Sequence, residues 1–97
     1  MRSFIITHVN VEILDDEELA RYPQRVTIDG IEFAVMWPQT MDNMYKYPFR
    51  LLDGDDIVYF IGLSAIEDDF NPIDYYGADY GCVWIQYKNN NNEWEVL

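Results

Sequence analysis

The chain has one cysteine and one histidine, and each scarcity excludes a class of site. A single Cys82 cannot form an intramolecular disulfide, so the chain fits the reducing cytoplasm. With His8 alone, no set of cysteines and histidines has the spacing of a metal site. The short N-terminal apolar run is interrupted by Thr7, Asn10 and Glu12, so it is neither a signal peptide nor a membrane span.

Basic residues are also few. Six lysines and arginines stand against 18 aspartates and glutamates, for a formal net charge of −12. DNA, RNA and anionic membranes repel such a surface, which disfavours direct binding to any of them. The partners we expect are basic protein surfaces, cations, or proteins that normally hold nucleic acid, and no membrane.

The scarcity of bases is most marked between Arg50 and Lys88, where none occurs. The same stretch carries eight carboxylates: Asp53, Asp55, Asp56, Glu67, Asp68, Asp69, Asp74 and Asp79. It is also rich in apolar and aromatic residues, so it is folded protein and not a disordered acidic tail. Because mutual repulsion of these charges costs stability, we expect function to favour keeping them.

Length and composition predict one domain over residues 1–97. Hydrophobic residues make up 49% of the chain and aromatic residues 16%, enough for one modest core. The order of apolar segments and turns predicts an α+β fold. We expect a mainly antiparallel sheet of about five to six strands with one or two short helices.

The N-terminal half predicts a strand, a helix and a hairpin. Residues 3–14 alternate as a half-buried strand, with these residues on its apolar face: Ile5, Val9, Val11 and Ile13. Asp15 is placed to cap a short helix, Glu18 completes its capping box, and Pro23 ends it. Asp29-Gly30 suits a type I′ turn that pairs Ile28 with Ile31.

The C-terminal half predicts two more strand pairs. Residues 49–52 and 56–63 form strands around Asp53-Gly54-Asp55, and the second is a central strand. Residues 81–87 and 93–97 form a closing hairpin around Asn89–Asn92. In that hairpin Val83, Ile85 and Tyr87 are expected to face Trp94 and Val96. Residues 39–48 favour one helical turn, and residues 64–80 are predicted to be irregular.

The acidic segments alternate with aromatic residues. Carboxylates along an extended segment repeat at roughly 6–7 Å on one face, close to the spacing of phosphates on one nucleic-acid strand. The predicted binding surface therefore joins the eight carboxylates to three rings that add contact area: Tyr75, Tyr76 and Tyr80. The alternative interpretation is an ordinary acidic loop whose tyrosines pack on the sheet.

Other chemistry has weaker signals. Asp53-Gly54-Asp55-Asp56 resembles a calcium loop but lacks the alternating ligands of an EF-hand, and a solvated turn is the favoured interpretation. Asp15–Glu18 could extend the acidic surface, but stabilisation of a helix N-terminus is the favoured interpretation. His8 and Cys82 have no partner of the kind that activates a catalytic group, so we expect structural roles for both. No catalytic residue, metal site or cofactor is predicted, and we expect no enzyme.

Segments of the C-terminal half resemble a pattern in small uncharacterised proteins of phages and plasmids. They are Pro48–Asp53, Val58–Phe60, Phe70–Asp74, Gly81-Cys82 with Gln86-Tyr87, and Trp94–Leu97. The resemblance covers residues 48–97 and implies an accessory protein of a mobile element. It implies no activity and no catalytic residue.

The leading hypothesis is an acidic protein–protein inhibitor that imitates nucleic acid. It would occupy the basic groove of a host defence nuclease or another nucleic-acid-binding enzyme, as anti-CRISPR and anti-restriction proteins do. The alternatives are an immunity or antitoxin-type protein that neutralises a basic toxin, and an acidic calcium-binding module. Exposed tyrosines and an unpaired edge strand also leave a homodimer open.

Overall fold

Short turns join three pairs of strands into antiparallel hairpins, and longer connections join the hairpins and the first strand into one sheet. The computed structural model describes residues 3–36 and 44–97. Within them the elements are β1 (Phe4–Asn10), a 3-10 turn (Val11–Ile13), α1 (Asp16–Arg21), β2 (Arg25–Ile28), β3 (Ile31–Val35), β4 (Tyr47–Asp53), β5 (Val58–Ser64), α2 (Asn71–Tyr80), β6 (Cys82–Lys88) and β7 (Trp94–Val96).

Across these residues seven antiparallel strands form one sheet in the order β2-β3-β1-β5-β4-β6-β7. The α+β class and the mainly antiparallel sheet are confirmed. The predicted total of five to six strands was too low, although each of the seven strands, including the short outer strands β2 and β7, overlaps a segment that the sequence predicted to be extended. Strand β5 is the middle strand of the sheet, as its apolar sequence predicted.

Local turn chemistry explains the hairpins that were predicted. Asp29 and Gly30 both have positive φ, and the turn pairs Ile28 with Ile31, as a two-residue loop requires. At α1, the Asp15 side chain accepts a hydrogen bond from the Glu18 backbone N–H, and the Glu18 carboxylate accepts one from the Asp15 N–H. The capping box is therefore confirmed.

The prediction of irregular structure over 64–80 was wrong for its second half, which forms α2. Pro72 stands at the start of the helix, and Gly81 ends it with a φ of 72°. Both residues favour a helix when they flank it, although they break one elsewhere. Gly77 lets α2 approach β6, since a Cβ there would lie 3.0 Å from the Cys82 carbonyl oxygen.

The first strand is shorter than predicted. Pairing with β5 shifts between Ile6 and His8, and this irregularity places Ile6 and Val9 on the same buried face. The strand ends at Asn10, whose buried amide donates to the Val58 carbonyl and whose Oδ1 accepts from the Glu12 N–H. That local bond turns the chain into the 3-10 turn, so residues 11–13 leave the sheet.

The sheet has two distinct faces. The helix face, under α2, carries the larger core cluster: Phe4, Ile6, Val9, Phe49, Leu51, Phe60, Cys82, Ile85 and Tyr87. The strand face carries a smaller cluster made of strand residues alone: Phe33, Leu52 and Val58, with Ile28, Ile31 and Ile61 against it. Most apolar burial therefore lies between the sheet and α2.

The closing hairpin forms as predicted, but its faces differ. Val96 pairs with Gln86 and Trp94 pairs with Lys88, whereas Ile85 and Tyr87 belong to the core of the helix face. Because neighbouring residues of a strand point to opposite faces, Trp94 and Val96 lie on the strand face. The expected contact of Ile85 and Tyr87 with these two residues was therefore wrong.

Part of one prediction lies outside the described residues. The helical turn proposed over 39–48 overlaps residues 37–43, which are not described, and β4 already begins at Tyr47. In the described ranges, no helix combines the length and the apolar character needed to cross a membrane.

Candidate protein-binding surface

The sheet separates the predicted acidic segments into two groups. Strand β4 runs from Tyr47, which pairs with Ser64, to Asp53, which pairs with Cys82. Asp53–Asp56 therefore follow one end of the sheet, whereas Glu67–Asp69 follow Ser64 at the opposite end. Seven residues of strand span roughly 20 Å, so the two groups do not form one cluster.

Helix α2 crosses from one end to the other, but it does not join them into one row. Asp74 lies in its first turn and Asp79 in its last. Five residues of an α-helix correspond to a rotation of about 140° between their side chains. Asp74 and Asp79 therefore lie on different sides of the helix and belong to different ends of the sheet.

At the Ser64 end of the sheet, Asp69 is tied into the fold. Its Oδ2 accepts a hydrogen bond of 2.9 Å from the Ser3 hydroxyl, and its Oδ1 accepts one of 3.0 Å from the Asn71 N–H. Its carbonyl accepts a bond of 2.7 Å from the Tyr87 hydroxyl. Asp69 thus anchors the start of α2, and it is only partly exposed, whereas Glu67 and Asp68 are exposed.

At the other end, Asp53 organises the β4–β5 turn. Its Oδ1 accepts hydrogen bonds of 2.9 Å from the N–H groups of both Asp55 and Ile57. These hydrogen bonds lower the pKa of the Asp53 carboxyl, and the bond from the Ile57 N–H has the largest effect. Asp53 therefore stays ionised. Asp55 and Asp56 are exposed beside it.

This geometry gives the calcium alternative no support. Asp53 directs its Oδ1 at backbone donors, which is the arrangement of an Asx turn. Among residues 3–36 and 44–97, no three cysteine, histidine or acidic side chains are placed to hold a metal ion together. A solvated turn accounts for the sequence at this position.

Two N-terminal carboxylates, Glu12 and Glu18, lie at the Asp53 end of the sheet; the sequence left Glu18 open as an extension of the acidic surface and gave Glu12 no place in it. The pKa of Tyr59 is raised, first by its hydrogen bond with Asp53 and further by the charge of Glu12. Burial raises the pKa of Tyr80, and the charges of Glu18 and Asp79 raise it further. We call the resulting group the acidic end: Glu12, Glu18, Asp53, Asp55, Asp56 and Asp79.

The three tyrosines of the predicted surface belong mainly to the packing of α2. The ring of Tyr76 lies 4.9 Å from that of Phe60, and Tyr80 lies 5.1 Å from the same ring. Tyr75 packs edge-on to Phe4 at 6.2 Å and is still 55% exposed. The tyrosines therefore hold the helix on the sheet and present only part of their rings to a partner.

The two arginines nearest to Glu18 are bound to other groups. Arg21 lies 3.9 Å from Glu17, and Arg25 donates to the carbonyls of Leu19 and Tyr22. Three further cations lie over aromatic rings: Lys46 over Tyr47, and both Arg50 and Lys88 over Trp94 of the closing hairpin. In the described ranges, no lysine or arginine forms an ion pair with a carboxylate of the acidic end.

No family model, curated protein or solved structure matches the chain. The function is therefore inferred from the chain's own side chains. Burial lowers the pKa of His8, whose Nδ1 lies 2.7 Å from the Thr7 hydroxyl, and burial raises the pKa of the Cys82 thiol to about 11.

Glu12 could not have been assigned to this surface from its sequence position, and for Glu18 the sequence favoured a role at the helix N-terminus over an extension of the acidic surface. Glu18 carried a sufficient local explanation in the capping box, and Glu12 appeared to be a strand residue. The signal that brings them to Asp53 and Asp79 is the topology, because β1, the 3-10 turn and the end of α2 all meet at one end of the sheet.

Proposed function

We propose that this protein is a non-enzymatic inhibitor that binds a basic surface on a partner protein, of the kind that otherwise holds nucleic acid. It acts in the cytoplasm, in keeping with its lone buried thiol. A phage-encoded role against host defence nucleases is the setting that the resemblance of residues 48–97 suggests.

One observation carries the proposal. Six carboxylates from four separate chain segments lie at the same end of the sheet, where Asp53 pairs with Cys82 beside the end of α2 and Asn10 bonds to Val58, and no described lysine or arginine forms an ion pair with them. Bringing like charges together costs stability, and unpaired charges retain their attraction for an external cation. A basic protein surface would relieve the repulsion between these carboxylates. It would also be attracted to the acidic end over distances up to the screening length set by the salt concentration.

The geometry also narrows the earlier hypothesis of a phosphate-like row. The eight predicted carboxylates are divided between two ends of the sheet, so a single groove need not contact all of them. We therefore place the working surface at the acidic end and treat Glu67, Asp68 and Asp74 as a separate group. The proposal still requires that the protein and DNA compete for the same surface of the partner.

Two matched variants test this assignment. D55N/D56N/D79N removes three exposed charges from the acidic end, and E67Q/D68N/D74N removes three exposed charges from the other end. Both raise the net charge equally, and asparagine tolerates the positive φ of Asp56 and Asp68. Each immobilised protein would be exposed to bacterial lysate at low and high salt, with and without DNA, and retained proteins identified by mass spectrometry.

We expect nucleic-acid-binding proteins to be retained by the natural chain and by E67Q/D68N/D74N, and to be released by DNA or salt. Each lost rim charge is worth about 0.2–1 kcal/mol, so the acidic-end variant should bind roughly 3- to 100-fold more weakly. Equal retention by both variants, or retention independent of salt, contradicts the proposal. Capture of one toxin that DNA does not displace would favour the antitoxin class instead.

A further inference from the structure

An apolar groove adjoins the acidic end. It has a volume of about 440 Å³ and lies on the helix face between the N-terminal segment and α2. Its floor is the sheet, through Ile6, Val9 and Phe60, all of them buried strand residues. This volume falls within the range of about 300–1,000 Å³ that ligand-binding clefts occupy.

The two walls of the groove are not packed against each other. Ile13 and Leu14 form one wall and are only partly buried, and none of the residues of α1 is buried. Tyr80 in the opposite wall is 40% exposed. Apolar side chains on both walls therefore remain available to an inserted group, which would remove them from water.

The rim of the groove is negative. Glu18 lines it, and Asp79 acts on the same Tyr80 hydroxyl. Of the cations on this side, Arg21 is paired with Glu17, and Arg25 is bound to backbone carbonyls. A suitable occupant is therefore apolar where it enters the groove and positively charged where it leaves.

We infer that the groove receives the apolar face of a basic amphipathic helix from the partner protein. The inference rests on the proposed function, because a partner bound to the acidic end also covers the adjoining mouth of the groove. Recognition would follow the helix-in-groove mode, with apolar side chains one turn apart in the groove and flanking lysines or arginines on the rim.

A synthetic peptide tests the inference without knowledge of the partner. The probe is a fluorescein-labelled helix of leucine and lysine, with the leucines on one face. A shuffled peptide of the same composition has the same charge but no continuous apolar face. Binding to the natural chain is followed by fluorescence anisotropy, and the contact is mapped by amide chemical shifts in NMR spectra.

We expect the amphipathic peptide to bind more tightly than the shuffled one and to shift Ile13, Leu14, Tyr76 and Tyr80. Leu14→Ala should weaken it about tenfold, whereas Val96→Ala on the strand face should not. E18Q/D79N should weaken it about three- to tenfold at low salt and hardly at all near about 1 M salt. Glutamine keeps the capping acceptor at position 18, and E67Q/D68N is the matched charge control.

Shifts that map outside the groove, or equal affinity for the shuffled peptide, would overturn the inference. So would self-association of the protein through the groove, or a neutral apolar dye that binds there as tightly as the peptide. The mapping uses the natural chain, so it decides the matter even if Leu14→Ala unfolds. If lysate capture depends on the acidic end but the peptide avoids the groove, the proposed function stands and only this inference fails.

Discussion

Gly62 occupies a position on the middle strand where no side chain fits. It pairs with Phe49 across β4 and β5, and the ring of Phe49 lies over it. A Cβ at this position would lie 2.5 Å from Cζ and 2.8 Å from Cε2 of Phe49, and would overlap the carbonyl oxygen of Ile5. Phe49 is fully buried, and Ile5 belongs to the paired strand β1, so neither neighbour can move away freely.

Gly62→Ala should therefore be strongly destabilising. Overpacking typically costs about 1–3 kcal/mol, and contact with paired backbone puts this position at the upper end, near 3 kcal/mol. For a chain of this size that corresponds to a fall in Tm of roughly 12–24 °C. Urea and thermal unfolding, followed by circular dichroism, measure both quantities.

Gly54 supplies the control. A Cβ there has nothing within 4 Å, and its φ is not positive, so Gly54→Ala should be neutral or stabilising by about 0.4–1 kcal/mol. If Gly62→Ala unfolds within about 0.5 kcal/mol of the natural chain, the close contact of β5 with Phe49 and β1 is not as described.

Two further predictions concern titratable groups. Burial raises the pKa of Cys82 from 9.0 to about 11, so its thiolate fraction near neutral pH should fall roughly 100-fold. Its reaction with a disulfide reagent should therefore be slow until urea unfolds the chain. Equal rates in the folded and unfolded chain would contradict this. The pKa of His8 is lowered from 6.5, so its contribution to stability is complete above that value and is lost as pH falls through the folded pKa. NMR titration should give a His8 pKa below 6.5, and His8→Gln should remove this part of the pH dependence measured by urea unfolding.

Hairpins and caps were predictable because their chemistry is local. Asp29-Gly30 fixes both the turn and the register of β2 and β3, and Asp15 with Glu18 fixes the start of α1. Asn89–Asn92 marks the loop between β6 and β7, where Asn89 Oδ1 accepts from the backbone of Asn91 and Glu93. In each case the residues that determine the structure are within four positions of one another.

Helix α2 was not predictable in the same way. Three tyrosines and Gly77 lower its intrinsic helix propensity, and its stability comes from packing on Phe4 and Phe60. These partners lie on strands far away in sequence. The N-terminal strand was mispredicted for a related reason, since the irregular pairing of β1 with β5 changes which side chains are buried.

The candidate site was predictable in charge but not in shape. The excess of acids, and their concentration after Arg50, are properties of composition. Which carboxylates become neighbours depends on the strand order, which pairs β6 with β4 and brings Asp79 toward Asp53. The same order sends Glu67 and Asp68 to the far end of the sheet, and no local pattern encodes that separation.

The short outer strands have a consequence for behaviour at high concentration. In the described residues, β2 offers four residues at one edge of the sheet and β7 three at the other. Antiparallel pairing uses the N–H and C=O of alternate residues, so an added strand would gain only about two to four hydrogen bonds per edge. Fibril growth requires segments of about six residues, so neither edge is a template for amyloid. Precipitation is instead expected near the isoelectric point of 4.1, where the repulsion between molecules disappears.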